Sequence, residues 1–212
     1  MFHCIDQLME PDWWPRAKQH LLQSDAVIAG FIRDYQGESL HSRGRLVETL
    51  MRSIVGQQIS VKAAATVWSR LQDLMGGEVS AAAVSSKSGE ALQACGLSWR
   101  KTEYIQGIAA ESSALENLNW NTLSDEQAKA RLCELKGVGA WTAEMVLIFS
   151  LLRPDVFPLG DLGVVRAIER LYNDGGSLSV QELTKLAQPW RPYASAACWY
   201  LWRSIDPEPV DY

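Results

Sequence analysis

The sequence predicts an all-α protein, and three observations carry that prediction. Serines and aspartates that can cap a helix stand repeatedly just ahead of apolar residues at helical spacing. Glycines fall where those helices should stop. No stretch of useful length alternates apolar and polar residues as a half-buried strand would.

Taken in order, a helical segment from about Trp13 to Tyr35 begins after Asp12, with Pro15 in its first turn. Leu46, Leu50 and Ile54 put an apolar stripe on the next segment, which Gly56 interrupts. Ser60 can cap "VKAAATVWSRLQDLM", which Gly76 and Gly77 stop. Ser88 can cap "GEALQAC", ended by Gly96, and Ser98 can cap "WRKTEYIQGIAAESS". Ser124 and Gln127 have capping-box spacing before "DEQAKARLCEL", and Ser179 and Glu182 repeat it before "VQELTKLAQ". A last helix runs from about Pro192 to Arg203, and the acidic tail "DPEPVDY" is expected to fray. Ordinary helix lengths give roughly ten helices.

Composition narrows the function classes. At 212 residues the chain forms one large domain or two small ones. The cysteines, Cys4, Cys95, Cys133 and Cys198, are scattered without a C-x-x-C pair, so neither zinc nor an iron–sulfur cluster is expected. No apolar run reaches membrane-spanning length, and "MFHCIDQLMEPDWW" lacks a basic region followed by an apolar core. The expectation is no signal peptide, no membrane partner and a cytoplasmic location. The net charge of −5 argues mildly against a nucleic-acid partner. Backbone N–H groups at helix N-termini, however, bind phosphate without side-chain charge.

Two stretches carry the chemistry. In "LKGVGAWTAEM", Gly137 and Gly139 permit left-handed backbone, Val138 can tuck inward, and a helix restarts near Ala140. The N–H groups there could form a nest for a phosphate oxygen, or the stretch could be a plain turn between two helices. In "PLGDLGVVRAIERL", Asp161 stands at a helix start, either as a simple N-cap or as a catalytic carboxylate.

Together these motifs resemble the helix–hairpin–helix DNA glycosylases. "LKGVGAWTAEMV" followed by "DVFPLGD" is similar to that family's hairpin, Gly/Pro-rich stretch and Asp. "SIVGQQISVKAAATVW" resembles its "GQQ-S" segment, "GLSWRKTEYI" its "GLS-x-x-K" segment, and "WRPYASAACWYLWR" the closing helix of the 3-methyladenine glycosylase II branch. The four motifs cover the chain from about residue 10 to 205.

The resemblance implies a two-lobed helical fold with its cleft between the lobes. The smaller lobe is expected from residues 1–45 plus 175–212. The larger is expected from 46–174, with the helix–hairpin–helix at about 125–151 and Asp161. It implies a monofunctional enzyme of base excision repair that hydrolyses the glycosidic bond of 3-methyladenine- or 7-methylguanine-type purines. Trp141 stands where bifunctional members carry a lysine nucleophile, so no lyase activity is expected. Asp161 is the implied catalytic residue. Trp141, Met145 and Trp199 are the implied pocket walls, whose aromatic faces suit a cationic alkylated base. Trp99 is a further aromatic candidate, although it could simply pack a helix start. Gln58 is the implied wedge that fills the gap left by a flipped base, although Gln57 and Gln58 could equally cap helix ends around Gly56.

Gly137, Val138, Gly139 and Thr142 complete the implied DNA contacts, and Lys136 is read as a solvated or phosphate-facing charge. The implied partner is double-stranded DNA carrying alkylated bases, bound by a monomer of bacterial, nucleoid-associated type. No cofactor is required. A structural Na+ or K+ could sit on the backbone carbonyls of Cys133, Leu135 and Val138. The alternatives are another base specificity (uracil, hypoxanthine or N1-methyladenine) or a damaged-DNA binder without chemistry. Asp161 speaks against the latter.

Overall fold

The structure, a computed structural model, describes residues 10–42 and 45–206. The N-terminal residues through Met9, including Cys4, and the tail beyond Asp206 lie outside the described residues. Among those described there are thirteen α-helices, two 3-10 turns and no strand. The all-α class is therefore as expected. The helices outnumber the expected ten because two sequence segments divide and one short helix, Ala81–Ser85, was not expected.

The first segment divides into α1 (Trp14–Ser24) and α2 (Ala26–Asp34). Asp25 makes the break: its extended backbone ends α1, and its Oδ1 accepts the N–H groups of Val27 and Ile28. Next come α3 (Leu46–Gly56), α4 (Val61–Met75), the short α5 (Ala81–Ser85) and α6 (Gly89–Ala94). Ser60 caps α4 and Gly76, at φ 78°, closes it, both as the sequence requires. The segment after Ser98 splits into α7 (Trp99–Ala110) and α8 (Ser112–Asn117). Then follow α9 (Asp125–Cys133), α10 (Ala140–Phe149), α11 (Leu162–Tyr172), α12 (Val180–Leu186) and α13 (Ala194–Ile205). Both expected capping boxes form, at Ser124–Gln127 and Ser179–Glu182. No helix among the described residues is long and apolar enough to cross a membrane.

The chain divides into two compact units, one spanning Arg45–Val146 and one joining the segment before it to the segment from Leu147 onward. This partition differs from the expected one, which placed residues 147–174 in the central lobe. The reason lies in how that segment is tied down. Ser195, fully buried on α13, donates its hydroxyl to the Arg153 carbonyl at 2.7 Å and accepts the Val156 N–H at 3.0 Å. α11 also packs along α13. Asp161 thus belongs to the terminal unit.

The terminal unit is built around aromatic side chains. Trp14, Trp190 and Tyr200 are wholly enclosed, and Trp14 stacks on Tyr200 at 5.9 Å between centroids. Asp25 doubles as a hub, its Oδ2 accepting from the Tyr172 hydroxyl at 2.8 Å and the Trp190 indole at 2.7 Å. The central unit packs α3 against α4, α7 and α8, with Leu50, Met51, Ile54, Leu71 and Ile105 forming its core.

Candidate functional site

In the terminal unit, Asp161 lies in a turn closed by its own N–H bonding to the Pro158 carbonyl at 2.9 Å. Its side chain caps α11, with Oδ1 accepting the Val164 N–H at 2.8 Å. The same oxygen accepts the Trp202 indole N–H at 3.0 Å. Asp161 is 8% exposed, so a carboxylate has been drawn largely out of water and is held by two donors at the positive end of a helix. Gly163 makes room for it. A Cβ there would stand 3.0 Å from Asp161 Oδ1, 3.3 Å from Trp202 Cδ1 and 3.4 Å from Ile205 Cδ1. The capping role weighed for Asp161 is real. It also fixes the direction of the carboxylate.

The aromatic that reaches Asp161 is Trp202, three residues beyond the Trp199 chosen from the sequence. Trp199, 5% exposed, packs edge-on against Trp14 and Tyr200, with the Arg203 guanidinium 5.7 Å from its ring centre. Sequence periodicity could not separate the two, because α13 is buried on every side from Ala194 to Arg203.

In the central unit, the stretch between α9 and α10 makes the expected hairpin. Val138 tucks inward at 6% exposure, and its N–H closes the turn on the Leu135 carbonyl at 3.0 Å. Only one of the two glycines is left-handed: Gly137 has φ 88°, whereas Gly139 does not occupy that region. Gly137 is required for a second reason. A Cβ on it would meet the Tyr104 ring at 2.2 Å. Gly139 is exposed, with nothing within 4 Å of where its Cβ would be, so a ligand can approach its backbone closely. Trp141 is half-buried on the first turn of α10, and Met145, one turn later, is fully buried. Thr142 turns its hydroxyl inward at 2% exposure, where it accepts from Gln57 Nε2 at 3.2 Å.

Lys136 is not simply solvated: it pairs with Glu103 of α7, whose hydrogen bond and charge hold its ammonium above the ordinary lysine range. Lys129 of α9 likewise pairs with Glu144 of α10 across the hairpin.

The turn after α3 presents Gln58. It adopts φ 58°, a left-handed conformation that costs a non-glycine residue about 1 kcal/mol, and it is exposed. Gln57 points the other way. Besides Thr142, its Nε2 donates to the Gly137 carbonyl at 3.0 Å. Lys101 of α7 donates to the carbonyls of Val55 at 2.8 Å and Gln57 at 2.7 Å. Burial pulls its ammonium below the usual lysine value. Sequence reasoning quoted the "GLS-x-x-K" segment but gave Lys101 no task. Trp99 is 64% exposed at the start of α7, and its ring also lies against the start of α6, where a Cβ on Gly89 would stand 3.5 Å from it.

Neutral carbonyl oxygens at Cys133, Leu135 and Val138 would suit a hard monovalent cation. Leu135 O already accepts one N–H, leaving its second lone pair for an ion. Among the described residues no group of three His, Cys, Asp or Glu could hold a metal.

Most of the chain is similar to known proteins. Residues 51–192 match the family described as HhH-GPD superfamily base excision DNA repair protein. DNA-3-methyladenine glycosylase 1 of Schizosaccharomyces pombe is 33% identical over 162 residues, covering 74% of this chain and 71% of that protein. The crystal structure of a DNA-3-methyladenine glycosidase from Bacillus halodurans superposes with a TM-score of 0.75 at 31% identity, over 90% of this chain and 89% of that one. The 3-methyladenine DNA glycosylase of Schizosaccharomyces pombe, in complex with abasic DNA, superposes with a TM-score of 0.79 at 28% identity, over 93% and 100%. The chain belongs to the HhH-GPD superfamily of base excision DNA repair proteins.

Proposed function

We propose that this protein is a monofunctional DNA glycosylase that removes N3- and N7-alkylated purines from duplex DNA, acting as a monomer. The observation that carries the reading is Asp161: a carboxylate at a helix N-terminus, held by the Val164 N–H and the Trp202 indole. The relatives named above add to it, since their names give 3-methyladenine as the base they release.

The chemistry follows from the residues. An alkylated purine is already cationic, so it leaves readily when the C1′–N bond breaks and its electron pair departs with the base, which becomes neutral. The sugar left behind is oxocarbenium-like, and a nearby anion stabilises it. Water then bonds to C1′ and gives its proton to the Asp161 carboxylate. Trp141 offers an aromatic face to the cationic base and stands where an attacking lysine would be needed for strand cleavage. Gln58 fills the space the base vacates, and the hairpin N–H groups from Gly139 onward hold a backbone phosphate. A Na+ or K+ on the hairpin carbonyls would add positive charge beside that phosphate.

The test is to incubate methylated duplex DNA with the protein and identify what is released. The reading expects free 3-methyladenine, intact strands until alkali is added, and no covalent adduct on borohydride treatment. Strand nicking without alkali, or a trapped adduct, would overturn the monofunctional assignment. Release of uracil or hypoxanthine in place of methylated purines would overturn the specificity.

A further inference from the structure

We infer that Lys101 and Gln57 are positioning residues for base extrusion, through which α7 holds the Gln58 turn and the hairpin in fixed register within the central unit. The inference rests on the reading of Gln58 as the wedge.

Gln58 sits in a backbone conformation that non-glycine residues rarely hold, immediately after the end of α3. A helix C-terminus leaves carbonyls without helical partners, and glycine caps usually supply N–H groups for them. Here the Lys101 ammonium does that work, donating to Val55 O and Gln57 O, one on each side of Gly56. The ammonium thus clamps the residue immediately before the strained one. A half-buried lysine carries a desolvation cost, which is a poor choice for stability alone.

Gln57 connects the clamp to the hairpin. Its carbonyl takes the Lys101 bond, while its side-chain amide donates to the Gly137 carbonyl and the Thr142 hydroxyl. α7 reaches the hairpin twice more. Tyr104, three residues after Lys101, lies against the Gly137 Cα, and Glu103 pairs with Lys136. One helix therefore braces both the loop that grips phosphate and the turn that presents the wedge. A wedge inserts productively only if its distance from the phosphate grip is fixed, since displacement of the anchor wastes the binding energy that drives unstacking.

The brace matters most where extrusion is hard. A paired base must be unstacked and unpaired, whereas an unpaired base leaves the helix readily. Single-turnover excision would be measured on two substrates: a duplex carrying one 7-methylguanine opposite cytosine, and the same strand with that nucleotide as a single-base bulge. The proteins are wild type, Lys101→Met, Lys101→Arg and Gln57→Glu, each with its thermal transition recorded.

The expected result is a roughly tenfold or larger loss on the paired substrate for Lys101→Met and Gln57→Glu, with the bulge rate held within about twofold. Lys101→Arg should recover part of the paired rate, because it keeps a charged donor. An equal fall on both substrates, or no fall on either, overturns the inference. If Lys101→Met shows no cooperative transition, the substrate ratio for Gln57→Glu, which keeps the side-chain size, decides the matter. Wild-type protein inactive on both substrates would instead contradict the removal of N7-alkylated purines proposed above.

Discussion

The Trp202 indole donates to Oδ1 of Asp161 at 3.0 Å, the oxygen that also caps α11. A bond to an ionised acceptor is worth about 1.5–3 kcal/mol. Trp202→Phe keeps an aromatic side chain beside Phe149, whose centroid lies 5.4 Å from the indole, but removes the donor. Excision of methylated purines should fall roughly ten- to a hundredfold, measured as single-turnover rate. An unchanged rate would mean that the indole does not help hold the carboxylate.

Gly163→Ala separates stability from activity. Gly163 lies in the first turn of α11 outside the left-handed region, so alanine gains helix propensity of up to about 1 kcal/mol. Its Cβ, however, would press on Asp161 Oδ1 at 3.0 Å. The melting temperature should hold or rise while kcat falls. A variant that loses both equally would contradict the argument.

Gly137→Ala should do the opposite. Alanine at φ 88° costs at least about 1 kcal/mol, and its Cβ overlaps Tyr104. Thermal stability and DNA binding should both fall. Tyr104→Ala in the same chain should restore the part owed to overlap and not the part owed to backbone conformation.

Tyr172 predicts an alkaline limit. Burial, then the charge of Asp25 and its hydrogen bond, push the Tyr172 hydroxyl far above its ordinary value of 10.0. In the unfolded chain the phenol ionises near that ordinary value while the folded protein keeps its proton, so stability declines as pH rises above about 10. Tyr172→Phe should be less stable at neutral pH by roughly 1.5–3 kcal/mol, through the lost bond to Asp25. Its decline above pH 10 should be shallower, and denaturant titrations at pH 7 and pH 10.5 would read both effects.

Much of the fold was legible because local chemistry fixes helix ends. Ser60, Ser88, Ser98, Ser124, Ser179 and Asp161 all cap where the sequence places them. Asp25 was missed because an apolar pattern runs through it, and only its side-chain bonds reveal the break. The hairpin was legible in its glycines, although only Gly137 is left-handed, and Gly139 leaves open space instead. Trp202 and Lys101 were not legible. One lies on a helix without an exposed face, and the other bonds carbonyls, which no side-chain pattern encodes. The grouping of residues 147–174 with the termini depends on Ser195, a buried hydroxyl 39 residues from its Val156 partner.

The most direct measurement is release of free 3-methyladenine from methylated duplex DNA by Asp161→Asn. Asparagine can still cap α11 and accept the Trp202 N–H, so the variant should fold with a near-native thermal transition. The account predicts that it binds DNA and has lost nearly all base release, because the negative charge beside the sugar is gone. Release at the wild-type rate would show that Asp161 is only a helix cap, and the proposed chemistry would fall with it.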